Sequence, residues 1–212
     1  MDMPANMRQY PDCSDSLHLI FDFILFTVFR FSAQDELEAR NPQRMATKST
    51  ISAEQAAAYL TGLKQQALDQ SAQAFIDKNL TRSNEAETYK QAFILLYQAY
   101  EEALQQATIT AFNLNDIQAK KILYKKDRVR LFKKHGIDFN ALSGTEAVNT
   151  LSLIVNALHY EGLVTEALAD KFPYWKEGFN MVQLDQAYKK LAPETVAHYQ
   201  ALLDALIGYI NA

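Results

Sequence analysis

With 212 residues, 49% hydrophobic and 22% charged side chains, the chain is long enough to bury one substantial core and too apolar to be a disordered segment. Six glycines and five prolines leave few turn residues among abundant Ala, Leu, Gln, Lys and Glu, which argues against a compact all-β fold. The single cysteine, Cys13, excludes an internal disulfide and a thiolate zinc cluster, and the net charge of −4 gives no general reason to expect nucleic acid.

The first apolar run, LHLIFDFILFTVFRF at residues 17–31, is interrupted by His18, Asp22 and Arg30. It is shorter than the ~20 residues a membrane span needs and lacks the basic lead-in of a signal peptide. No stable membrane insertion is therefore expected, and the expected location is cytoplasmic. Met45 opens MATKSTISAEQ, which reads as a natural amino terminus followed by a helix cap. Residues 1–44 are accordingly expected to be an extension outside the native protein, with a peripheral amphipathic anchor as the alternative. Residues 45–212 are expected to form a single helical-bundle domain.

From Ser52 onward the periodicity is helical. Ser52 and Gln55 form a capping box, and Ala56, Tyr59, Leu60, Leu63, Ala67, Ala74 and Phe75 keep helical spacing over 52–79. A second long helix is expected from Asn84, with Glu87 as its capping partner, to about Phe112; the short link TRSN makes the two antiparallel neighbours. A third starts near Asn115, a fourth follows Ser143-Gly144-Thr145-Glu146, and a short one follows Thr165 and ends before Pro173. An extended piece is expected at Met181–Leu184, and Pro193 should divide the tail from a last helix carrying Val196, Tyr199, Leu203, Leu206 and Ile210. The fold class is an all-α, up-and-down bundle of five to six helices.

The third helix leads into KKILYKKDRVRLFKK, residues 120–134, where eight cations surround the single acid Asp127, against 13 basic and 24 acidic residues elsewhere. On one continuous helix these cations would point in every direction, and some would be buried at several kcal/mol per unpaired charge. The conflict resolves if the helix breaks near Asp127, which then caps a second short helix with Val129 and Phe132 inward and Gly136 closing it. Lys133, Lys134 and His135 then complement the dipole of its last turn, and the run is a solvated face. The same arrangement would also make a phosphate-binding patch of Lys120, Lys121, Lys125, Lys126, Arg128, Arg130, Lys133 and Lys134, with Tyr124 and Phe132 as stacking planes.

Downstream, NTLSLIVNALHYEGLVTEALADKFPYWKEG (149–178), with LFKKHGIDF and AFILLYQAYEEAL upstream of it, resembles bacterial HEPN-like helical bundles over about residues 84–210. The shared layout is a helix ending in an Asn-x-x-His step, here Asn156 to His159, then a glycine and a short acidic helix. The resemblance implies an RNA-binding or partner-binding domain of a bacterial defence or toxin–antitoxin system. In active members an Arg-x(4–6)-His motif cleaves RNA without metal. Arg130 with His135 fits that spacing, as does Arg128 with His135, the Arg serving the developing phosphorane charge and the His the proton transfers. The later helix departs from the pattern. Counting back from His159, the positions four, five and six intervening residues away are Ile154, Leu153 and Ser152, none of them Arg. Catalysis is therefore expected to be absent, Arg130, His135 and His159 being the candidates if it occurs.

No Glu-x-x-His step, ligand cluster or phosphate loop points to a metal or cofactor. Trp175, with Tyr174, reads as a core or hinge aromatic, or as a partner-binding site if exposed. The expected partners are RNA, another protein, and a second copy of the chain as a homodimer. The alternative reading is a helical adaptor with no nucleic-acid role.

Overall fold

The computed structural model describes residues 51–160 and 162–212. The expectations for the apolar run at 17–31, for Cys13 and for a start at Met45 lie outside the described residues. Among the described residues there are eight α-helices: α1 (Ala53–Lys64), α2 (Gln70–Asn79), α3 (Glu85–Phe112), α4 (Asp116–Lys121), α5 (Lys125–Lys134), α6 (Thr145–His159), α7 (Glu166–Ala169) and α8 (Leu184–Ile210). A 3-10 turn, Phe139–Ala141, joins α5 to α6. The fold class is all-α, packed helix on helix. Among the described residues the only β pairing is an isolated antiparallel bridge, Leu163 to Asn180. The extended piece expected at Met181–Leu184 is not a strand, and Leu184 already begins α8.

The two long helices, α3 and α8, run through two apolar clusters. In one, Phe93 and Leu96 of α3 meet Ile76 of α2, Leu151 and Ile154 of α6, Trp175 and Tyr188. In the other, Tyr100 and Leu104 meet Leu60 of α1, Phe132 of α5, Phe139, and Leu202, Leu203 and Leu206 of α8. At Gly144 the start of α6 comes close to α8. This residue has φ +77°, and a Cβ there would collide with the Glu194 carbonyl of α8, so α6 begins pressed against α8 on a residue that only glycine can supply.

The single helix expected over 52–79 is two. The capping box at Ser52 and Gln55 forms, but α1 stops at Lys64 and Leu68 turns into the core before α2 begins. At 100° per residue Ile76 would lie about 160° around the axis from Leu60, so an unbroken helix could not bury both against α3; the break re-aims the second stripe. Asn84 begins α3 without making a capping box. Its Oδ1 accepts from the Thr81 N–H (2.8 Å) and its Nδ2 donates to the Asn79 carbonyl (2.9 Å), fixing the link from α2. Pro193 does not divide the tail but sits on the exposed side of α8, which is continuous from 184 to 210. An interior proline costs about 3 kcal/mol. Burial of Tyr188, Leu191, Tyr199, Leu202, Leu203 and Leu206, at about 1.5–3 kcal/mol for each aliphatic side chain, outweighs it.

Candidate nucleic-acid interface

The basic run does divide into two helices, one turn earlier than expected. Asn115 and Gln118 form a capping box that starts α4, whose ladder ends at Ile122; Tyr124 is the N-cap of α5. Asp127 lies inside the first turn of α5 and pairs with Arg130 at 3.6 Å. The break comes early because Ile122 turns into the core and its carbonyl, with that of Leu123, is taken by a side chain from the next turn. Arg128 Nη1 donates to both carbonyls, at 3.1 and 3.2 Å, while Nη2 donates to both Glu101 carboxylate oxygens, at 2.9 and 2.7 Å.

Arg128 is thus corrected from phosphate ligand to internal strut. It is 4% exposed, and its charge is taken by Glu101 of α3. Arg128 precedes Phe132 by four residues, so a helix that buries Phe132 buries Arg128 as well; that spacing was the signal. Phe132 is likewise withdrawn as a stacking plane, being buried and stacked flat on Phe139.

The other seven cations stay outside the packed interior, as the two-helix reading required: Lys120, Lys121, Lys125, Lys126, Arg130, Lys133 and Lys134 are all exposed. Lys125 donates to Asn149 Oδ1 of α6 at 2.6 Å. Lys121, Lys126, Lys133 and Lys134 make no ion pair among the described residues. Lys125 and Lys126 occupy the first turn of α5, where the helix dipole disfavours cations. That placement concentrates positive potential at the elbow rather than relieving it.

Behind the bend between α4 and α5 lies a recess of about 10 Å³, room for one water, lined by Tyr97, Tyr100, Glu101, Lys125, Arg128 and Ser152 together with Leu104, Phe139 and Val148. Tyr97 Oη and Ser152 Oγ lie 3.3 Å apart across it. Tyr100 Oη meets His198 Nδ1 at 3.1 Å, and burial, then the Glu101 charge, drives the Tyr100 phenol upward. His198 is fully buried; burial holds its imidazole down at about 4, with the Phe139 backbone close enough to work against the shift. The recess is too small for a substrate.

The candidate catalytic residues are not brought together. Arg130 turns to Asp127 on the surface. His135 wedges between Phe112 and Tyr209, with ring centroids 4.6 and 5.0 Å away. His159 is exposed at the end of α6, on an open apolar groove of about 770 Å³ lined by Leu153, Ala157, Tyr160 and Leu163 with Asn156 and Thr165. Among the described residues no hydrogen bond, ion pair or ring contact joins any two of Arg130, His135 and His159.

Trp175 lies in the core rather than on a partner surface. It is 4% exposed, packs edge-on to Phe172 at 4.5 Å, and its Nε1 donates to the Val182 carbonyl at 2.9 Å. Tyr174, half-buried, stacks on Phe172 at 5.5 Å and meets Trp175 edge-on at 6.2 Å. Among the described residues no helix is long and apolar enough to cross a membrane. Compared with known proteins, the chain matches no family model, no curated protein and no solved structure.

Proposed function

We propose that this chain is a non-catalytic RNA-binding helical bundle, HEPN-like in layout and serving a bacterial defence or toxin–antitoxin system, in which the α4–α5 elbow takes the phosphate backbone. The observation that carries the reading is the exposure of seven cations over fifteen residues in a chain that is otherwise acidic. Two of them sit at the helix end where they are least stable, a cost that a bound polyanion offsets. The scattered positions of Arg130, His135 and His159 support binding without cleavage.

The test is a salt series. Log affinity for an RNA oligonucleotide should fall linearly with log salt, and each of Lys121→Glu and Lys126→Glu should reduce the slope by about one phosphate contact. Salt-insensitive binding, or none, removes the reading.

A second reading has its own observation. The open groove beside α6 ends in Tyr160, 87% exposed. An apolar surface of this kind suits a protein partner or a second copy of the chain, and it replaces Trp175 as the place where an adaptor would bind.

A further inference from the structure

From the side chains between the two lysine pairs we infer that the elbow binds unpaired rather than duplex RNA, with a base stacked on Tyr124; this rests on the phosphate-binding reading above. Ile117, Leu123 and Tyr124 are 72%, 55% and 70% exposed within eight residues. Large apolar side chains so exposed and so close together cost solvation and repay it only when a ligand covers them. A duplex offers the elbow two phosphate rails with its base faces stacked away, so lysines alone would serve. An unpaired strand offers base faces as well as phosphates, and base–aromatic stacking is tolerant of sequence.

The backbone holds this tip still. The Tyr124 N–H donates to the Lys121 carbonyl at 3.3 Å, and the Tyr124 carbonyl accepts from the Asp127 and Arg128 N–H groups at 3.0 and 3.1 Å. Arg128 holds the carbonyls of Ile122 and Leu123 from beneath. The peptide is fastened on three sides while the Tyr124 ring makes no ring contact among the described residues. A ring presented on a fixed backbone loses little entropy on stacking. Lys120 and Lys121 stand on one side of it in the last turn of α4, and Lys125 and Lys126 on the other in the first turn of α5. Phosphates flanking a stacked base would meet cations in both directions along the strand.

The experiment titrates the full chain against a twelve-nucleotide oligouridine and a twelve-base-pair RNA duplex by fluorescence anisotropy at several salt concentrations. Single strand should bind at least about tenfold tighter than duplex. Tyr124→Ala should weaken single-strand binding roughly tenfold or more while leaving duplex binding unchanged. Tyr124→Phe should retain it. The Tyr124→Ala loss should persist at high salt, whereas the Lys126→Glu loss shrinks as salt rises. Equal affinity for the two forms, or a Tyr124→Ala loss shared by both, overturns the inference while leaving phosphate binding standing. Absence of salt-dependent binding to either form overturns both. Tyr124-dependent capture by phosphatidylglycerol vesicles in preference to oligouridine also overturns it, because the apolar tip would then be reading lipid. Thermal unfolding of Tyr124→Ala should match the wild type, the side chain being mostly in water.

Discussion

Replacing Arg128 by Met should lower stability by about 3–5 kcal/mol, the usual cost of removing one partner of a buried pair. The structure supplies the terms. Two charge-assisted bonds to Glu101 are lost, and the carbonyls of Ile122 and Leu123 lose their donor. Counted singly, net values of roughly 1.5–3 kcal/mol for each hydrogen bond to a charged group would sum above that range. The range is not exceeded because Glu101, 30% exposed, can recover water once its partner is gone. Glu101→Gln should be costly as well, since it leaves the guanidinium buried beside an uncharged amide. The double replacement Arg128→Met with Glu101→Leu should recover much of the loss, because well-packed apolar side chains often substitute for a buried ion pair. Urea unfolding of the wild type, Arg128→Met, Glu101→Leu and the double variant closes the double-mutant cycle. A loss below about 1 kcal/mol for Arg128→Met would mean that the guanidinium is solvated, and the account of the elbow would fall with it.

Three further outcomes follow. His198 has a folded-state value of about 4 against 6.5 for the free group, so the unfolded chain takes up the proton first as pH falls. Stability should therefore drop between pH 6.5 and 4 by an amount on the order of 3 kcal/mol and level off below, and His198→Leu should flatten that window in urea midpoints. Gly144→Ala should cost at least about 2 kcal/mol from its positive φ and the Glu194 carbonyl, whereas Gly208→Ala, in open space on α8, should gain about 0.5–1 kcal/mol; thermal melts distinguish them. Glu101→Gln gives a sign test on binding. Removing an acid beside the basic elbow should tighten RNA binding if charge alone mattered, and should weaken it if the Arg128 strut sets the spacing of the lysine pairs, as read by anisotropy.

Much of the fold was legible because it rests on local signals. Ser52 with Gln55 marks the start of α1, the apolar spacing through Tyr89, Phe93, Leu96, Tyr100 and Leu104 identifies α3, and the charge conflict at 120–134 forces a break somewhere in it. What escaped depends on contacts between elements distant in sequence. The gap between α1 and α2 is set by where both stripes must meet α3. Pro193 survives in α8 because burial on its far side outweighs one missing donor. Arg128 was misplaced for the same reason: its partner lies 27 residues upstream on another helix. Trp175 could be weighed as core or surface from its neighbours, but its burial under Phe172 and its bond to Val182 come from the chain folding back before α8. The helical part of the candidate site was therefore readable, and its internal wiring through Glu101, Tyr100 and His198 was not.

Amide hydrogen exchange of the full chain, with and without saturating oligouridine, tests the central claim most directly. Protection on binding should concentrate in residues 115–135, greatest around Leu123 to Lys126, and should vanish with Lys121→Glu and Lys126→Glu combined. Protection confined to the groove at residues 153–165, or no change anywhere at saturating ligand, would contradict it.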